Sequence, residues 1–163
     1  MDTFKTLIDS MNRYINTADH LIYVTYPLVK EEKLILASLE NLHNALIFAV
    51  EAILFYDKMY KRIGLYPDNF NAKLETFKLK CAPRYNFERN VLVLIQDVVE
   101  LIQQHERSQM EFARKDKYYI FDRDYVKMKS IDLQRIKAYI MDAKPFIEKV
   151  NRIYQHDLSR RTS

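Results

Sequence analysis

The chain has 163 residues, a net charge of +4, 48% hydrophobic and 13% aromatic content, one glycine, four prolines and one cysteine. Such a composition fills one sizeable core without staples, and the lone glycine excludes phosphate-cradling glycine-rich loops and nucleophile elbows. The lone cysteine excludes an internal disulfide and a thiolate zinc cluster, and it fits a reducing cytoplasm.

The expected fold is all-α: an antiparallel bundle of four long helices plus one short one in a single domain over 1–158, with a disordered basic tail over 159–163. Asp2 is placed to cap a first helix with Phe4, Leu7, Ile8, Met11, Ile15, Ala18 and Ile22 inward, ending near Tyr26 and Pro27. A second helix is expected over 28–63, with Ile35, Leu39, Leu42, Ala45, Ala49, Ile53 and Tyr56 on its stripe. Gly64 supplies a left-handed C-terminal residue there and Pro67 prevents resumption. The apolar window 46–56 is too short to span a bilayer and carries Glu51, which is expected at the helix's outer edge, so no membrane is expected as a partner.

A short helix over 72–81 carries Leu74, Phe77 and Cys81 inward, with Pro83 as its stop. Asn86 is placed to cap the next helix, whose stripe is Val91, Leu94, Ile95, Val98, Leu101 and Ile102. Periodicity lapses over 107–129, where Tyr118 to Phe121 has β character, and an extended segment or a small hairpin turning at 122–124 is expected. Ser130 is placed to cap a last helix with Leu133, Ile136, Ile140, Ala143, Ile147, Val150 and Tyr154 inward, and Pro145 should bend it. The chain shows no internal repeat.

The charge is split. Residues 1–72 hold 7 Lys+Arg against 9 Asp+Glu, whereas 73–163 hold 19 against 13. Within the basic half, the segment 107–125 mixes Arg114, Lys115, Lys117 and Arg123 with Phe112, Tyr118, Tyr119, Phe121 and Tyr125. Cations meet phosphates and aromatic faces stack on unpaired bases, so this composition suits single-stranded RNA; Asp116, Asp122 and Asp124 interrupt it and could instead pair locally. The residues expected to carry RNA are Arg114, Lys115, Lys117, Tyr118, Tyr119 and Arg123.

Two other constellations offer alternatives. Glu40 and His43 have the i, i+3 spacing of a di-iron helix ligand pair, but no second Glu-x-x-His exists, so no metal or other cofactor is expected. Arg13 and His20 return to one helix face two turns apart, and such a pair is chemically able to move the 2′-hydroxyl proton of RNA and steady the phosphorane charge.

The stretch LENLHNALIFAVEAILFYD over 39–57, with AVEAIL at 49–54, resembles the central helix of HEPN-type bundles, a likeness covering about a third of the chain. The resemblance implies a small antiparallel helical bundle, commonly dimeric, and in many members a metal-independent ribonuclease with Arg, four to six residues, then His late in the fold. Nothing after residue 84 fits that motif, and Arg13 and His20 lie in the first helix. The leading expectation is therefore a non-enzymatic RNA-binding module. The alternatives are a HEPN-type endoribonuclease using Arg13 and His20, and a homodimerisation or protein-interaction module whose aromatic segment packs on another chain.

Overall fold

The computed structural model describes residues 2–108, 110–121 and 127–162. The chain is largely helical with a small antiparallel sheet before its last helix. In order it runs α1 (Thr3–His20), α2 (Tyr26–Val29), α3 (Lys33–Met59), α4 (Phe70–Thr76), α5 (Ala82–Tyr85), α6 (Arg89–Arg107), β1 (Glu111–Arg114), β2 (Lys117–Phe121), β3 (Met128–Asp132) and α7 (Leu133–Thr162). Asp2 caps α1 as expected, its side chain accepting from the Lys5 amide. α3 lies at the centre, packed by α1, α6, α7 and the sheet. It is long and apolar enough to cross a membrane by composition, yet Ile35, Leu39, Leu42, Leu46, Ile53 and Leu54 are all buried inside the bundle.

Two corners of the chain are each built on a wide helical turn followed by a proline. Leu21–Thr25 is a π-helical turn in which the Tyr26 amide donates to the Leu21 carbonyl five residues back. Pro27 follows, with no N–H to give to the next carbonyl, and the chain leaves the helix at Lys30 in the left-handed conformation. The same device recurs 56 positions later. Phe77–Cys81 is a π-helical turn, Ala82 donates to Phe77, Pro83 follows and Asn86 takes the left-handed conformation. Two corners with dissimilar sequences are thus built alike, each turning the chain into a long helix, α3 or α6. Three expectations are corrected here. The second helix begins at Lys33 because the corner occupies 26–32. Pro83 is carried inside the helix because the wide turn accommodates it. Asn86 closes α5 instead of capping α6.

Other boundaries shift for local reasons. α3 ends at Met59, and the left-handed residue is Lys61, not Gly64. Lys61 donates its amide to Lys58 and Arg62 to Asp57 (2.8 Å), which together close a Schellman motif. Asp132, not Ser130, caps α7 by accepting the Arg135 amide at 2.7 Å, because Ser130 is held in β3. α7 runs helical through Pro145, whose ring is exposed, and on through Thr162 where a disordered tail was expected. Arg161 holds that end, reaching Asp157 (2.9 Å) and Asp2 (3.1 Å).

Rings fill the core in two clusters. Phe4 stacks on Tyr56 at 4.9 Å and meets Tyr154 edge-on, and Phe77, Phe87 and Phe146 form the second group. Burying each such ring contributes roughly 1.5–3 kcal/mol. Among the described residues two carboxylates are also buried. Asp57 accepts from the Tyr85 hydroxyl and from Arg62 (3.2 Å), and Asp157 accepts from the Tyr60 hydroxyl (2.5 Å) beside Arg161. Burial and the bond to Asp57 push the Tyr85 phenol well above its ordinary range.

Candidate nucleic-acid interface

β1, β2 and β3 form one three-stranded sheet in that order, antiparallel throughout. β1 and β2 pair Phe112 with Tyr119 and Arg114 with Lys117, turning through Lys115 and Asp116. Both turn residues have positive φ, 51° and 62°, the arrangement a two-residue hairpin needs and one that usually calls for glycine. Asp116 is held there from two sides: its carboxylate accepts from the Tyr26 hydroxyl and its carbonyl from the Leu133 amide at 3.0 Å. The turn is therefore set by the first corner and by the start of α7. The hairpin turn expected at 122–124 lies outside the described residues, as does Arg123.

Alternation along KYYIF divides β2 between two faces. Tyr118 and Ile120 point inward with Ile131 of β3, buried against α3, α6 and α7. The Tyr118 hydroxyl donates to Glu111 at 2.9 Å, and His105 Nδ1 lies 2.6 Å from the other oxygen of that carboxylate. Burial, reinforced by this bond, pushes the Tyr118 phenol up to about 12. Tyr118 was expected to stack on a base. Its ring is buried and its hydroxyl is engaged, so that face is closed to a ligand.

The outer face is different in kind. Tyr119 stacks on Phe112 with centroids 4.7 Å apart and planes 18° from parallel, and Phe121 lies 5.7 Å from Phe112. Phe112 is 42% exposed, so the ring row opens to solvent. At one end of the row Met128 pairs with Phe121, and Met128 is exposed. At the other end stand Arg114, Lys117 and, at the tip, Lys115; Lys117 Nζ sits 5.4 Å from the Tyr119 ring centre. Phe112 and Phe121 share this face with Tyr119, and the expected set lacked both. The period-two pattern around Tyr119 carried that information.

The alternative pairs are built on α1 and α3. Arg13 lies over the Tyr14 ring, and no hydrogen bond or ion pair joins it to His20 among the described residues. Glu40 is exposed on α3 while His43 is partly buried, with its imidazole pKa lowered chiefly by that burial. Among the described residues no three His, Cys, Asp or Glu side chains come together in a metal-binding arrangement. Glu51 sits at the edge of α3, as expected, bonded to Lys73 at 2.9 Å. The chain matches no family model, and comparison with curated proteins and with solved structures finds no similar protein.

Proposed function

We propose that this protein is a non-enzymatic binding module for single-stranded RNA, with the outer face of the sheet as its platform. The observation that supports this reading most is the ring row Phe112, Tyr119 and Phe121 on an open sheet face, bordered by Arg114, Lys115 and Lys117. Rings in such a row accept any base by stacking, and cations at its end reach the phosphates between bases. The helices serve as scaffold. They bury Tyr118, Ile120 and Ile131, and that fixes which residues of each strand face outward.

Binding of a short single-stranded RNA, measured by fluorescence anisotropy over a salt series, tests the reading. Replacing Arg114, Lys115 and Lys117 by Ala should flatten the dependence of log affinity on log salt by roughly two units, near ~0.7 per phosphate contact. Tyr119→Ala should cost about 1–3 kcal/mol of affinity and leave the slope almost unchanged. Absence of binding at low salt, or triple-mutant binding equal to wild type, overturns it. The exposed Phe112 and Met128 would then mark a protein-protein contact, checked by light scattering of the chain alone.

A further inference from the structure

A second basic surface lies at the far end of α7 from the sheet. Lys149, Arg152, His156 and Arg160 fall at i, i+3, i+7 and i+11 on one face of that helix, and Arg62 and Arg84 face them across a groove of about 550 Å³. No carboxylate lines the groove among the described residues. Asp57 lies buried beneath it, with Arg62 at 3.2 Å and Arg84 at 3.7 Å. Arg62, Arg84, Lys149 and Arg152 thus bring four formal positive charges to the groove above one buried negative charge, with Glu88 and Asp142 on an adjoining notch. Lys149 and Arg152, three residues apart on the helix, repel each other, and an anion between them would relieve that repulsion.

The cations differ in their commitments. Arg62 is fixed by Asp57 and lies over the Tyr56 and Tyr60 rings, Lys149 donates to the Asn86 carbonyl, and Arg84 leans on Asp57. Arg152 and His156 are exposed into the groove with no hydrogen bond or ion pair among the described residues. Lys149 and Arg152 also wall that adjoining notch of about 310 Å³ formed with Phe87, Val91, Met141 and Pro145. The basic groove therefore runs into a recess that is apolar along Phe87, Val91, Met141 and Pro145 and carries Glu88 and Asp142 on its wall.

We propose that this groove binds the terminal phosphate of a nucleotide, with Arg152 and His156 as the principal contacts, Arg62 and Arg84 as a fixed positive wall, and the notch taking the attached ring. A guanidinium presents paired N–H donors to phosphate oxygens, and imidazole adds a further donor. The phosphate has two sources of the same chemistry, a free nucleotide or the 5′ end of an RNA.

Calorimetric titration of the full chain with adenosine 5′-monophosphate, adenosine and inorganic phosphate tests this. The monophosphate should bind, more tightly than inorganic phosphate, while adenosine binds at least tenfold more weakly. Arg152→Glu should weaken the monophosphate at least tenfold and His156→Ala a few-fold. Neither residue belongs to the Asp57 cluster, and an unchanged circular dichroism melt confirms that each variant folds. Equal binding of adenosine and its monophosphate, or an Arg152→Glu variant that binds like wild type, overturns the proposal. Hexauridylate with a 5′-phosphate against the same oligomer with a 5′-hydroxyl separates the sources. An Arg152-dependent preference for the phosphorylated end assigns the groove to RNA ends, and no such preference assigns it to the free nucleotide. Ala at Arg114, Lys115 and Lys117 should leave monophosphate binding unchanged, so this site and the sheet platform succeed or fail separately.

Discussion

The sheet face and the groove both combine tyrosines with cations, and they use them in opposite ways. On the sheet the rings are open and stacked on one another while few cations stand at the border. In the groove Arg152 and His156 are open and the tyrosine is withdrawn, because the Tyr85 hydroxyl is bonded to buried Asp57. A tyrosine whose hydroxyl is tied down by a buried carboxylate is fixed in place by that bond. So held, the Tyr85 ring becomes part of the groove's lining. The two surfaces lie at opposite parts of α7, from Leu133 near the sheet to Arg152 some 30 Å along at ~1.5 Å per residue.

The two regions should also differ in how much a single carboxylate holds together. Asp57 is fully buried and joins Tyr85, Arg62 and the Arg84 side, whereas Glu111 is partly exposed and joins Tyr118 and His105. Asp57→Ala should destabilise the fold by about 2–3 kcal/mol, below the 3–5 typical of a broken fully buried pair because Arg62 and Arg84 keep access to water. Glu111→Ala should cost less, about 1–2 kcal/mol. Urea unfolding of both variants measures the difference, and an equal or reversed order would break the contrast. Tyr118→Phe, which removes only the hydroxyl, should cost about 1 kcal/mol.

Cys81 sharpens the same contrast through chemistry. It is buried beside the Asp57 cluster, and burial followed by its interaction with Asp57 pushes the thiol up to about 12. In the unfolded chain it ionises near ~8.5, so this thiol lowers stability as pH rises above that value, and the loss stops growing near about 12. Alkylation in the folded protein should therefore be slow and should follow global opening. Asp57→Ala should speed it in proportion to lost stability, whereas Glu111→Ala should speed it less. Rapid labelling of the wild-type chain would show that this end opens locally.

Helical stripes were legible because burial repeats at helix spacing: Phe4, Ile8, Met11, Ile15, Ala18 and Ile22 read as one face and are one face. The corners were not legible. Proline reads as a stop, yet Pro27 and Pro83 sit inside helical turns because a wide turn precedes each, and nothing local in LIYVT or FKLKC announces one. The sheet was half legible. Its β character and its alternation stand in the sequence, whereas the turn at Lys115 and Asp116 depends on Tyr26, ninety residues away. The groove was hidden for a related reason: its cations come from 62, 84 and 149–160, and only the packed helices bring them together.

The smallest expected effect concerns His43, which lies on α3. Burial lowers its pKa, while interactions with Asn44 and Glu106 offset part of that shift, so the folded state favours neutral imidazole. Above its ordinary value near ~6.5 both states hold it neutral and it contributes no pH dependence. As pH falls below ~6.5 the unfolded chain takes up the proton first, so stability declines until the folded-state pKa is passed. His43→Gln should remove that part of the slope, leaving the variant relatively more stable at pH 5 than at pH 7.5 when each is compared with wild type. Paired urea titrations at the two pH values measure this as a difference of differences. An identical wild-type-minus-variant gap at both would mean that His43 titrates alike in the folded and unfolded chain and that α3 does not bury its imidazole.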